Sequence, residues 1–313
     1  MNSLKDLRIV FMGTPEFAVA SLAALVNAGC NVVGVITAPD KPAGRGMQLQ
    51  QSAVKKYAVE NNLHILQPEK LKNPEFIEQL KSLHADVQIV VAFRMLPEIV
   101  WNMPPMGTIN VHASLLPDYR GAAPINWAII NGEKETGITT FKLQQEIDTG
   151  NILLQEKISV NENETAGELH DALKELGAKL ILQTIQKIAG GSIEEKPQFT
   201  IQHSPFTIKH APKINTETCK IDWNKSTETI YNLIRGLSPF PTAFTFLDDK
   251  MLKIYSGKKE IAKHEYVTGS LHSDGKTFLK FACTDGFIAC TDIQLQGKKR
   301  MNVQDFLRGY RIN

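Results

Sequence analysis

Cysteine is scarce in this chain: Cys30, Cys219, Cys283 and Cys290 are the only four in 313 residues, and no two form a CxxC pair. That excludes a disulfide framework and a thiolate zinc cluster, and it points to reduced thiols in a cytoplasmic protein. The eight histidines show no HxxxH or His/Cys ligand spacing, so no metal site is expected. No apolar run reaches the roughly 18 residues of a membrane span. The first ten residues lack the basic, apolar and small-residue regions of a signal peptide. There is no GxGxxG turn, so dinucleotide binding is not supported. Internal repeats and low-complexity tracts are also missing.

What is present is ordinary in amount and uneven in placement. Apolar residues make up 42% and charged residues 22%, the balance of a globular chain. The length suits one large or two ordinary domains. Residues 1–208 carry 18 Lys and Arg against 22 Asp and Glu, a net of −4, while residues 209–313 carry 17 against 11, a net of +6. A basic C-terminal part suits a polyanion such as nucleic acid, and it also suits a plain solvated surface.

The first part reads as alternating strands and helices. An apolar strand at 7–12, a tight turn at 13–17, a helix at 16–28 stopped by Gly29 and a strand at 32–37 make a βαβ opening, hence parallel strands. Residues 38–50 read as a loop of Pro, Gly and charge, long for a βα connection, in which Lys41 and Arg45 are candidates for phosphate contact. Helices follow at 52–61 and 74–84, the second with Asn73 as cap and Pro74 at its first position. The strand at 86–93 is the most deeply apolar, and a short helix is expected at 96–102. Further on come a helix at 123–130 and strands at 138–143 and 152–160. A capping box, Thr165-Ala-Gly-Glu168, then opens a helix to 189. Residues 192–211 have little periodicity and read as a linker. Beyond it lie one helix, 226–235, and short strands at 243–247, 251–255, 277–282 and 286–294, with Asp-Asp and Asp-Gly turns between them. Strands of that length and spacing predict a small barrel, OB-like in character.

The chemistry concentrates at residues 110–125. A short strand at 107–112 puts Asn110 and His112, two apart, on one face near its end. A proline-bounded loop, Ser114-Leu-Leu-Pro117, follows. A second polar stretch, 144–150, sets Asp148 in a glycine-ended turn. An amide donates to a developing oxyanion, an imidazole donates or moves a proton, and a carboxylate fixes the imidazole's tautomer. No cysteine lies near this group, so a thiol nucleophile is not expected.

Gly13-Thr-Pro-Glu-Phe17, the loop at 39–46, Asn110-Val-His112, Ser114-Leu-Leu-Pro117, Tyr119-Arg-Gly-Ala-Ala-Pro124, Asp148-Thr-Gly150, Ile221-Asp-Trp223 and Arg235 occur in this order over nearly the whole chain. Together they resemble the methionyl-tRNA formyltransferase family. The resemblance implies an α/β fold: a Rossmann-like, mostly parallel sheet domain at 1–190, a linker at 191–210 and an OB-like, tRNA-binding β-barrel at 211–313. It implies transfer of the formyl group of 10-formyltetrahydrofolate, a co-substrate, to the α-amino group of methionyl initiator tRNA. The transfer is expected to be direct, without a covalent enzyme intermediate, and the enzyme a cytoplasmic monomer with no membrane partner.

On the same resemblance Asn110, His112 and Asp148 are catalytic, and Ser114, Leu115, Leu116 and Pro117 form the folate-binding loop. Lys41 and Arg45 belong to an inserted loop that approaches the tRNA acceptor end. The pattern departs from the family at Phe93-Arg94, where an aromatic-Gly pair is usual, in a segment that resembles a wall of the folate pocket. Glycinamide-ribonucleotide and amino-sugar-nucleotide formyltransferases share the Asn, His and Asp pattern. The first usually lacks a second domain. The second tends to carry another Arg within residues 120–124.

Overall fold

The apolar run near the N-terminus forms the first strand, β1 (Arg8–Gly13), in the computed structural model, which describes residues 4–43, 48–198 and 208–311. Its residues beyond Arg8 are all buried, as suits a strand covered on both faces. Gly13 ends it, where a Cβ would stand 2.6 Å from the Cβ of Ala18. Glycine therefore lets helix α1 (Glu16–Asn27) turn back closely onto the strand. Strand β2 (Asn31–Ile36) returns parallel to β1 and completes the expected βαβ unit.

The stretch 38–50, expected as a loop without strands, contains paired strands β3 (Lys41–Ala43) and β4 (Gln48–Gln50). Strands of three residues are too short to display a period of two, and Pro42 hides one of them further. Arg45 lies outside the described residues. The base of this pair is pinned: Lys55 Nζ donates to Asp40 Oδ2 at 2.5 Å, and Gln67 Nε2 donates to Ala38 O and Asp40 Oδ1. The bonds that reach its carboxyl, that of Lys55 first, hold Asp40 below its usual range.

Helix α2 (Ala53–Glu60), β5 (Ile65–Leu66), α3 (Pro74–Ser82), β6 (Val87–Val91), α4 (Glu98–Trp101) and β7 (Thr108–His112) follow in chain order. Ser52 caps α2 by accepting from Lys55 N, and Asn73 caps α3 by accepting from Glu75 N. After β8 (Arg120–Gly121) and α5 (Pro124–Ile130), β9 (Glu135–Lys142) and β10 (Ile152–Ser159) flank a turn. Helix α6 (Ala166–Ala189) opens on the expected capping box, with Thr165 N donating to Glu168 Oε2 and Glu168 N to Thr165 Oγ1.

Seven of these strands form one sheet in the order β10-β9-β7-β6-β1-β2-β5. From β5 to β7 all neighbours are parallel, and β9 runs antiparallel to β7. The chain builds outward from β1 first on one side and then on the other. That reversal leaves a crevice beyond the C-terminal ends of the central strands.

Packing divides the chain into two compact units. One gathers Met1–Arg120, Gly137–Ile158 and His170–Lys209, and the other gathers Gly121–Thr136, Ser159–Leu169 and His210–Asn313. The second contains β11 (His210–Ala211), α7 (Thr216–Cys219), α8 (Thr227–Gly236), β12 (Ala243–Leu247), β13 (Lys250–Ile261), β14 (Leu271–Ser273), β15 (Leu279–Ala282), β16 (Gly286–Leu295), β17 (Met301–Asn302) and α9 (Val303–Arg308). Its main sheet is antiparallel, in the order β12-β13-β16-β15-β14, with β17 on β16.

Register shifts around Ser256 interrupt β13, and such bulges bend a strand and curl a sheet into a half-barrel. They also break the alternation, which is why the strand pattern in the sequence stops at 255 while the strand itself runs to Ile261. Ile230 and Ile234 of α8 and Phe306 of α9 pack with Leu252, Ile254, Ile288 and Ile293 of the sheet. All four cysteines are buried and free. Burial pushes the Cys283 thiol up to about 12, so it is not a nucleophile near neutral pH. Among the described residues no helix is long and apolar enough to cross a membrane.

Arg235, one of the residues that carries the family pattern, is spent inside the second unit. It is 4% exposed. Its Nε donates to Asn232 Oδ1 at 2.8 Å and its Nη1 to Glu164 O at 3.1 Å, while Tyr231 donates to Asn163 Oδ1 beside it. Burial lowers the guanidinium pKa, yet an arginine stays charged at any working pH. Arg235→Ala leaves the buried Asn232 Oδ1 and the half-buried Glu164 O without these bonds. We expect denaturant unfolding to show a loss of about 2–4 kcal/mol.

Candidate active site

Strand β7 sets two of the expected catalytic residues at the C-terminal end of the parallel run. Asn110 lies opposite Val90 of β6 and Phe141 of β9, and His112 opposite Thr139. Two residues apart on one strand, both project from the same face. Asn110 is half-buried and His112 is 7% exposed. The Phe141 ring meets the imidazole edge-on, with centroids 6.4 Å apart.

The two ring nitrogens of His112 have different surroundings. Nε2 lies 2.9 Å from the carbonyl oxygen of Tyr119. A carbonyl can only accept, so Nε2 carries a hydrogen in either charge state of the ring. Nδ1 faces Asp148 Oδ2 at 3.8 Å, and the two side chains are 8% and 11% exposed. Nδ1 is therefore the atom that can gain or release a proton, and the carboxylate stands beside it. Asp148 occupies the left-handed region, φ +54°, an arrangement that persists only where its surroundings hold it.

The Ser114–Pro117 loop is divided in its exposure. Ser114 and Leu116 are buried, while Leu115 and Pro117 are half-buried. The Ser114 hydroxyl donates to Asp118 O at 2.7 Å, so it is turned into the protein. Thr139 and Gln155, neither singled out from sequence, hold the loop. Leu116 N donates to Thr139 Oγ1, that hydroxyl donates to Ser114 O, and Gln155 Nε2 donates to Leu116 O at 2.8 Å. The loop is thereby fixed, with Leu115 and Pro117 its half-buried members. The register of Thr139 against His112 could have pointed to the first partner; nothing local marks the second.

Lys41 opens strand β3 and is exposed. It does not join the His112 and Asp148 group. Arg94, at the departure from the family pattern, donates to Glu69 O at 2.7 Å and to Pro68 O, and its guanidinium lies 5.5 Å over the Phe93 ring. The extra side chain thus ties this segment to the turn at 68–69. No group of three or more His, Cys, Asp or Glu suited to a metal ion occurs among the described residues.

Residues 195–198, read from sequence as linker, buttress the Asp148 turn. Lys196 exchanges both backbone hydrogen bonds with Ile152 at 2.7 and 2.8 Å. Glu195 accepts from Asn151 Nδ2 and from Lys142 Nζ, each at 3.0 Å. Those bonds, that of Asn151 first, hold the Glu195 carboxyl below its usual range. A depressed folded value means stability that is present above the unfolded value of about 4.3 and is lost as pH falls through the folded one. Wild type and Glu195→Gln should therefore differ in thermal midpoint at pH 7, and the gap should close below about pH 4. The pair is partly exposed, so the gap is small and shrinks with salt.

The formyl transferase model matches residues 7–185, and the formyl transferase C-terminal domain model matches residues 213–311. A methionyl-tRNA formyltransferase of Phocaeicola vulgatus is 58% identical over 315 residues, which cover 99% of this chain and 97% of that one. One from Parabacteroides distasonis is 54% identical over 313 residues, 98% and 97% of the two chains. Among solved structures, a sugar 3N-formyl transferase in the presence of dTDP and 5-N-formyl-THF superposes with a TM-score of 0.66. It covers 94% of this chain and 99% of its own at 24% identity, a likeness of fold.

Proposed function

This chain belongs to the methionyl-tRNA formyltransferases of the formyl transferase family, and on that footing we propose that Asn110, His112 and Asp148 are the groups through which it works. It transfers the formyl group of 10-formyltetrahydrofolate to the α-amino group of methionyl initiator tRNA, giving formylmethionyl-tRNA for translation initiation. The observation that carries the assignment is His112, its Nε2 committed to the Tyr119 carbonyl and its Nδ1 beside the Asp148 carboxylate.

An aminoacyl amine titrates near ~8 and is already a nucleophile around neutral pH. Its lone pair attacks the formyl carbon, a C–N bond forms and the carbonyl oxygen gains negative charge. The Asn110 amide and the Nδ1–H of His112 donate to that oxygen. As the oxyanion collapses, the bond from carbon to the folate nitrogen breaks. The proton lost by the amine ends on that nitrogen, so no net proton is taken up. His112 Nδ1 gives its hydrogen to that nitrogen as the bond breaks and takes the amine's proton in exchange, with Asp148 balancing the charge. Nothing in these steps requires a covalent bond to the protein. Aligning two bound substrates accounts for roughly 7–11 kcal/mol of the barrier, and each donor for about 3 kcal/mol.

The folate is held along the Ser114–Pro117 loop, with Leu115 and Pro117 as its apolar contacts. The tRNA meets Lys41 and Arg45, of the segment 38–50, and the basic stretch 209–313. We read 1–190 as the catalytic domain, 191–210 as connection and 211–313 as an OB-like, tRNA-binding barrel. The enzyme works as a cytoplasmic monomer. Initial rates with 10-formyltetrahydrofolate test the acceptor: methionyl initiator tRNA should react, and a dTDP-amino sugar should not. Reaction with the sugar alone would overturn the assignment.

A further inference from the structure

The segment 195–198 lies outside the sequence pattern of the active site, and Gln198 at its end makes the most complete set of polar contacts near the Asp148 turn. Its side chain is buried, at 8% exposure. An amide nitrogen has two hydrogens, and both are used across one turn: Nε2 donates to Asp148 O at 2.9 Å and to Gly150 O at 2.8 Å. The amide oxygen has two lone pairs, and both are used on one guanidinium: Oε1 accepts from Arg120 Nε at 3.1 Å and from Arg120 Nη2 at 2.6 Å. Every hydrogen-bonding capacity of a glutamine is thereby filled. The segment that carries it is fastened on its other side by the Lys196–Ile152 backbone pair and the Glu195 carboxylate.

From this geometry we infer that Gln198 is a positioning residue for formyl transfer, clamping the Asp148 turn so that its carboxylate stays at Nδ1 of His112. The inference rests on the assignment of Asp148 and His112 as catalytic groups. The clamp bears on the backbone of the acidic residue itself and on the carbonyl two residues on, so it fixes the turn rather than its surroundings. Asp148 has the left-handed conformation, which an unsupported non-glycine residue leaves readily. The 3.8 Å between Asp148 Oδ2 and His112 Nδ1 is longer than a hydrogen bond, so a small shift of the turn decides whether the two engage. Only an amide of this length can donate twice and accept twice here. Glutamate has the acceptors without the donors.

That difference supplies the test. Gln198→Ala should lower kcat roughly 10- to 100-fold, the cost of misplacing a catalytic group by about an ångström, with the KM for 10-formyltetrahydrofolate within about twofold. Gln198→Glu keeps a partner for Arg120 but turns a carboxylate toward two carbonyls, so it should lose as much as the alanine variant. In an Asp148→Asn background, Gln198→Ala should cost less than about threefold further, because residues that act as a unit are not additive. A purely structural glutamine would give independent, multiplying losses. Multiplying losses, a Gln198→Glu enzyme at the wild-type rate, or a Gln198→Ala kcat within about twofold of wild type would each overturn the inference. Wild-type turnover on the same tRNA is the reference throughout. Failure of the functional reading appears as absent wild-type transfer, and failure of this inference as wild-type transfer that residue 198 does not govern.

Discussion

We expect His112→Ala to lower kcat for formyl transfer about 1,000-fold, and Asn110→Ala about 100-fold, with the folate KM within about twofold of wild type in both. The size follows from the setting. His112 is almost wholly buried, with one nitrogen tied to Tyr119 O and the other facing Asp148. A donor fixed in a low-dielectric site stabilises a developing oxyanion without reorganising, which is where such groups have most effect. The loss should fall on kcat, because the proposed contact is made in the transition state and not to the bound folate. The two losses should not multiply in the double variant, because the proposed mechanism aims both groups at one oxyanion. Steady-state kinetics with each substrate varied in turn measures both quantities. A thermal midpoint on the same samples separates chemistry from folding, because removing the imidazole leaves the Tyr119 carbonyl without the His112 bond.

Gly150→Ala is expected to be nearly as severe by a different route. A Cβ at that position would stand 1.6 Å from Lys142 O and 2.8 Å from Lys142 C, so the turn must open. The Lys142 N to Asn151 O bond at 2.9 Å, which closes it, is the first to go. Gly150 O is also one of the two acceptors of Gln198. We expect kcat to fall about 100-fold and stability to fall by about 2–4 kcal/mol. Activity measured against denaturant midpoint checks this. An alanine variant with full activity and wild-type stability would show that the turn has room that the close Lys142 contact denies.

Much of the site is legible in the sequence, and the residues that are not have a common reason. The alternation along β7 by itself puts Asn110 and His112 on one face. The glycine-ended turn marks Asp148, and the capping box at Thr165 and Glu168 forms as written. Those signals are local. Gln198 meets Asp148 and Arg120 from 50 and 78 residues away, and Thr139 meets Ser114 across 25. No spacing rule reports such contacts. Arg235 is visible as part of the family pattern, but its burial against Asn232 and Glu164 in the second unit is not. Ser114 likewise matches a binding loop, while its hydroxyl is bonded inward to Asp118 O. The paired strands β3 and β4 and the long course of β13 escape detection because short strands and bulges suppress the period of two by which a strand is recognised.

The most direct test of the central claim is a rapid-quench single turnover with 10-formyltetrahydrofolate labelled in its formyl group, methionyl initiator tRNA and excess enzyme, run on wild type and His112→Ala. Direct transfer at His112 predicts label passing from folate to tRNA in wild type with none on quenched protein at any time. It predicts a His112→Ala enzyme that still binds the labelled folate and transfers at least about 100 times more slowly. Label appearing on the protein before the tRNA, or His112→Ala transferring at the wild-type rate, would contradict it.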